Sequence, residues 1–185
     1  LRWNEFDKTP RVANHSLDGV IELMPISDAD WYSFKYVNGH PKNTQLGVST
    51  VMAFGVLADV GTGAPRLLAE LTLPTAIRTA AMSALAARVL ARRNSRVMAL
   101  IGNGAQAEFQ AIAFRDLLGI TTLRLYDVDA RATAKLVQLL STFRAQATLE
   151  ARGREVNAKS IMGVMLLAAG PGSTPMMIAL LHRQA

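Results

Sequence analysis

The chain contains no cysteine. That absence excludes disulfides, zinc–thiolate centres and thiol nucleophiles, and it fits a cytoplasmic protein. Histidine is scarce: His15, His40 and His182 are the three present, too few and too scattered for a multi-histidine metal site. Aromatic residues make up 6% of the chain and do not interleave with the basic ones, so the formal net charge of +6 lacks the pattern of a nucleic-acid surface. Arg88, Arg92, Arg93 and Arg96 crowd the end of a predicted helix. Cations there favour the negative end of the helix dipole and read as a solvated face. The apolar stretch from Ile161 to Leu181 is broken by Gly170-Pro-Gly-Ser-Thr-Pro175, so no membrane span is expected. The chain opens on Leu1 without the charged-then-apolar layout of a secretory leader, and reads as a fragment or processed product.

What is present is a 185-residue chain, half of it apolar, enough for one domain or one and a half. Val20-Ile-Glu-Leu-Met24 and Ser33-Phe-Lys-Tyr-Val37 alternate with a period of two. Val48 to Val60 is a further apolar run, and Gly61-Thr-Gly-Ala-Pro65 turns the chain back through Arg66 to Leu71. Together these predict an antiparallel meander. The period then changes. Thr72-Leu-Pro-Thr75 has the hydroxyl and early proline of a helix start, and Ala76 to Arg92 is helical. A strand at 97–101, a helix from Ala105 to Leu118, a strand at 123–126 and a helix from Ala130 to Arg144 make two consecutive βα units. The expected fold is α/β: a strand-rich region over 1–94, a partial doubly wound domain over 95–152, and an unassigned tail over 153–185. An out-of-frame origin is one explanation for that tail, whose Met, Gly, Ala and Arg show no clean alternation.

The most informative stretch is Val97-Met-Ala-Leu-Ile-Gly-Asn-Gly-Ala-Gln-Ala107. A strand feeding a G-x-G turn into a helix start offers backbone N–H groups to a pyrophosphate. Gly102 permits the tight turn, Gly104 lets a phosphate approach, and Ala107 is small enough for helix–strand packing. Asp127, at the end of the next strand, can accept hydrogen bonds from an adenosine ribose. Its charge repels a 2′-phosphate, favouring NAD over NADP, although Arg131 lies nearby. Elsewhere, Lys35 alternates away from Phe34 and Tyr36, and reads as either a solvated lysine or a site cation. Arg78 falls in the first turn of its predicted helix, where a cation is disfavoured; an anionic ligand or an ion pair with Glu70 would each explain it. Glu22 is the one acid in its strand and faces either solvent or a site. His40 is a turn residue in Asn38-Gly-His-Pro41, and Thr50 a β-former in an apolar strand.

Taken together, several segments resemble the ornithine cyclodeaminase/mu-crystallin family, from about Arg11 to Leu149. They are Gly19-Val-Ile-Glu-Leu-Met-Pro25, Phe34-Lys-Tyr-Val-Asn-Gly-His-Pro41, Thr50-Val-Met-Ala-Phe-Gly-Val-Leu-Ala-Asp59, Thr75-Ala-Ile-Arg-Thr-Ala80 and Ala99-Leu-Ile-Gly-Asn-Gly-Ala-Gln106. The second resembles the cyclodeaminase branch. The resemblance implies conversion of L-ornithine to L-proline and ammonia with NAD recycled in each turnover, in a homodimer formed through the first region. By the same resemblance Arg11, Lys35 and Arg78 hold the substrate carboxylate and Glu22 lines the substrate side. Thr50, Arg78, Ala105, Gln106 and Asp127 contact the cofactor beside Gly102 and Gly104. It also implies a catalytic aspartate beyond residue 185, so the chain is expected to fold poorly alone and to show no turnover. An imine or ketimine reductase, an amino-acid dehydrogenase, or a non-catalytic NAD-binding crystallin-type protein are the alternatives.

Overall fold

A computed structural model describes residues 3–142, 148–151, 154–157 and 177–180. The chain divides by its internal contacts into two units, Leu1–Thr75 and Ala76–Ala185. Together they give an α/β chain, with an antiparallel sheet first and βα units after it.

The first unit is a five-stranded sheet in sequence order: β1 (Val12–His15), β2 (Val20–Ser27), β3 (Trp31–Gly39), β4 (Ala53–Asp59) and β5 (Pro65–Glu70). All neighbours are antiparallel; three of the connections are short, and the β3–β4 one is a longer loop holding a 3-10 helix, Pro41–Leu46. Asp28 accepts the amides of Asp30 and Trp31 to form the β2–β3 turn, and Asp59 accepts those of Thr62 in the β4–β5 turn. The register sets two faces. Val12, Leu23, Tyr36 and Phe54 form one row across the sheet, and the Tyr36 and Phe54 rings stack at 4.9 Å. Ala13, Glu22, Val37 and Ala53 form a row on the other face.

The predicted strand from Val48 begins later than expected. Residues 48–52 are turn and bend, and β4 starts at Ala53. The reason is Asn38, whose buried side chain accepts the Met52 amide, while the Asn38 and His40 amides donate to the Met52 and Thr50 carbonyls. Those bonds spend the segment's backbone groups before the regular ladder begins.

The second unit contains most of α1 (Thr72–Leu90), then β6 (Val97–Ile101), α2 (Ala107–Leu118), β7 (Thr122–Tyr126) and α3 (Ala130–Thr142). β6 and β7 are parallel, joined through α2, which makes one βαβ unit. Gly119, at φ +71°, ends α2 in the left-handed conformation that an L side chain rarely adopts. Leu100, Leu123 and Leu125 from the strands pack with Ala111 of α2 and Leu136, Val137 and Leu140 of α3. Helix α1 starts at Thr72, where the sequence places the helix start, but without the expected hydroxyl cap. Glu70 Oε1 accepts the Thr72 amide at 2.6 Å, and Thr72 Oγ1 accepts the Ala53 amide instead of capping the helix.

Beyond α3 the topology departs from a doubly wound sheet. β8 (Thr148–Ala151) and β9 (Arg154–Asn157) pair as a separate antiparallel hairpin. β10 (Met177–Leu180) lies beside β7, antiparallel to it, where a third parallel strand belongs. Most of the tail over 153–185, including most of the apolar run from Ile161, lies outside the described residues. Among the described residues, no helix is long and apolar enough to cross a membrane.

Candidate functional site

In the second unit the glycine turn and Asp127 meet at the ends of the two parallel strands. Gly102 has φ +87°, and its amide donates to the Tyr126 carbonyl at 2.9 Å, so the turn is pinned to the end of β7. The Asn103 amide donates to Asp127 Oδ2, and the Asp129 amide donates to Oδ1 at 2.8 Å. Those backbone donors, led by Asn103, hold the Asp127 carboxyl below the usual aspartate range. Each oxygen keeps lone pairs for a ligand. A Cβ added at Gly104 would meet nothing within 4 Å, so the space before the turn is open. Ala105 is exposed at the entry to α2. Gln106 Nε2 donates to the Ala76 carbonyl at 3.0 Å, tying the glycine turn to the start of α1, the helix that carries Arg78. Arg78 itself is exposed. It lies in the second turn of α1 rather than the first, because the helix begins at Thr72. The unfavourable dipole is largely spent by then, so the position is less anomalous than the sequence implied.

Asn103 was missed as a site residue. It is buried, and its Nδ2 donates to Thr133 Oγ1 of α3 at 2.7 Å. The sequence offered one clue: it sits between two glycines, where only the backbone is usually read.

In the first unit Arg11, Glu22 and Lys35 share one face of the sheet. Arg11 Nη1 contacts Glu22 Oε1 at 3.0 Å. Glu22 opposes Val37, while Lys35 opposes Met24 on β2 and Gly55 on β4, so Glu22 and Lys35 are diagonal neighbours. Leu71 packs over Gly55 on that row; a Cβ there would come within 2.5 Å of Leu71 Cδ1 and 2.9 Å of the Phe34 carbonyl oxygen. Thr50 is not in a strand, contrary to expectation; it precedes β4, and its carbonyl accepts the His40 amide at 2.8 Å. His40 Nδ1 lies 3.1 Å from Asn38 Nδ2, and its ring packs where a Gly19 side chain would be. It is part of the turn. Among the described residues no group of three or more His, Asp or Glu side chains is placed to hold a metal ion.

The chain is 66% identical over 139 residues to the ornithine cyclodeaminase of Brucella abortus, covering 75% of this chain and 39% of that protein. It thus spans about two fifths of the length of such curated relatives. Among solved structures, an archaeal alanine dehydrogenase dimer with bound NAD superimposes with a TM-score of 0.69 at 35% identity, over 76% of this chain and 44% of that one. A Thermococcus litoralis pyrroline-2-carboxylate reductase with NADH and L-proline gives 0.71 at 32% identity, over 75% and 44%. A lysine cyclodeaminase that recognises L-lysine and L-ornithine gives 0.68 at 32%, over 71% and 40%. A second similarity is of another kind: 59% identity over 54 residues to the phosphocarrier protein HPr of Xylella fastidiosa, covering 29% of this chain and 61% of that protein. The ornithine cyclodeaminase/mu-crystallin family model matches residues 1–169, and the chain belongs to that family.

Proposed function

We propose that this chain carries the substrate-side sheet and the dinucleotide turn of an NAD-dependent ornithine cyclodeaminase, which converts L-ornithine to L-proline and ammonia. The observation that carries the reading is the fixed Asp127 carboxylate facing a glycine turn with open space before Gly104. Gly102, Gly104 and Ala105 would receive the pyrophosphate through backbone amides, and Asp127 the ribose hydroxyls. Thr50, Gln106 and Arg78 would complete the cofactor contacts. When bound, NAD supplies a hydride acceptor that becomes the donor later in the same turnover, so no net reduction accumulates.

The residues of the first unit suit an amino acid with a second amine. Lys35 and Arg11, with Arg78, would hold the α-carboxylate by charge-assisted hydrogen bonds. Glu22 sits beside Arg11 with its side chain only 20% exposed, so a substrate ammonium could share its carboxylate. The exposed apolar row of Val12, Leu23 and Phe54 suits a second copy of the chain, and the similar archaeal alanine dehydrogenase is a dimer. We place the working protein in the cytoplasm.

Calorimetry with NAD tests this. Asp127→Ala should weaken binding by about tenfold or more, the worth of hydrogen bonds to a charged group. Equal affinity in both proteins would remove the dinucleotide site. With ornithine, the longest polypeptide that the gene encodes should yield proline without NADH accumulation; accumulating NADH would favour an amino-acid dehydrogenase instead.

A further inference from the structure

We propose that the chain is composite: a cyclodeaminase-family segment gives way around α3 to a phosphocarrier-like segment, which supplies the strands beyond that helix. Four observations meet at this point. First, the two sets of similarities together span the chain and overlap around α3: a match to 139 residues reaches at least residue 139, and a match to 54 residues starts no later than residue 132. The cyclodeaminase and dehydrogenase relatives and the solved structures each cover 69–78% of it, and the phosphocarrier matches cover 25–29%. The family model reaches residue 169, but the relatives at 63–66% identity align over only 139–145 residues. Second, the motifs of the cyclodeaminase resemblance run from Gly19 to Asp127 with short gaps. Only the stretch after Asp127 can hold the 46 or 54 residues of the phosphocarrier matches.

Third, the topology changes at the same place. A doubly wound sheet continues with a parallel strand after each helix. Here α3 is followed by an antiparallel hairpin in a sheet of its own, and β10 pairs with β7 in the opposite direction. Fourth, the packing across the join is imperfect. Asn103 is buried, yet its Oδ1 has no hydrogen-bond partner among the described residues. The helix covering it offers one hydroxyl, Thr133, which takes the amide nitrogen. Flipping the amide would leave the nitrogen unpaired instead. Native interiors pair such atoms, so this orphan marks a mismatch at α3, where the two similarities overlap. The apolar part of the join is less demanding: Leu136, Val137 and Leu140 seal Leu100, Leu123 and Leu125, as a suitably spaced amphipathic helix can.

The functional consequence rests on the reading of Gly102 to Asp127 as a dinucleotide site: that site is followed by a segment that did not evolve to complete it. The test replaces residues 129–185 with the equally long stretch that follows the matching aspartate in the Brucella abortus relative. NAD binding should tighten by about tenfold, the worth of one or two restored buried hydrogen bonds, and Tm should rise. No gain in either quantity would overturn the composite reading. A hybrid that gains Tm but binds no NAD would uphold the join and refute the dinucleotide site. A second variant works in the unaltered chain. Asn103→Leu with Thr133→Val removes a mismatched polar pair, so Tm should hold or rise; a drop of several degrees would show that the pair is native and overturn the proposal.

Discussion

In the first unit, large apolar side chains on one face of the sheet stand in solvent; in the second, they are sealed between strands and helices. Leu68 of β5 is 71% exposed and Val12 of β1 is 65% exposed, whereas Leu123 and Leu125 of β7 are fully buried. The two sheets differ in how they are wired. The meander joins neighbouring strands by turns and, between β3 and β4, by a 13-residue loop with one short 3-10 helix, and none of these connections is an α-helical crossover. The parallel pair needs a crossover, and the crossover helix covers the sheet that it connects. An antiparallel sheet must therefore find its cover elsewhere, while a βα unit brings its own.

The largest expected effect tests that contrast directly. Leu123→Ala should cost about 2–5 kcal/mol, since a fully buried leucine leaves both lost transfer energy and a cavity. Leu68→Ala, on the exposed row, should stay within about 0.5 kcal/mol in dilute solution. Urea denaturation of the two variants measures both. Similar costs would break the comparison, because Leu68 would then be buried in a cover that forms in solution.

Much of this arrangement is legible in the residues. The alternation at Val20 to Met24 and Ser33 to Val37 gives β2 and β3, and the change of period after Thr72 gives α1. The G-x-G turn and Asp127 are read from spacing alone, because their geometry is local: one turn and one strand end. What escaped depends on contacts distant in sequence. The late start of β4 comes from Asn38 capturing the Met52 amide, 14 residues away. The Thr72 hydroxyl, expected to cap α1, instead accepts the Ala53 amide, 19 residues away. Asn103 meets Thr133 across 30 residues. The β8–β9 hairpin was missed for a different reason. Its strands are four residues each, too short to show a period.

A smaller effect separates the two units by pH. The Asp127 carboxyl is held below its ordinary range, chiefly by the Asn103 amide, so its stabilising contribution is present above that range and lost as pH falls through it. Tm should therefore be insensitive to Asp127 between pH 5 and 8 and become sensitive below about pH 4. The first unit has its own acid-sensitive groups: Asp59 is lowered by Thr62, Glu70 by Thr72 and Asp18 by Lys42. Asp127→Asn isolates the second unit. Its Tm should fall less steeply than that of the original chain on going from pH 5 to 3, and an unchanged slope would mean that the backbone donors do not favour the charged form.

The smallest expected effect on stability falls on the face of the first sheet that carries charge. Arg11 and Glu22 form an ion pair in which the arginine side chain is 61% exposed. Such pairs contribute at most about 1 kcal/mol, because water screens them and two side chains must be held in one geometry. Glu22→Gln keeps the shape and hydrogen-bonding reach of the side chain and removes its charge, so urea midpoints should barely move. If that face receives the amino acid, the same substitution takes away the partner of its ammonium. The Kd for ornithine should then rise about tenfold, while NAD affinity stays unchanged because the glycine turn is untouched. A stability loss of several kcal/mol would instead make Glu22 part of the fold's framework, like Leu123. The charged face would then be a structural element, and the difference between the two units would lie in their apolar packing alone.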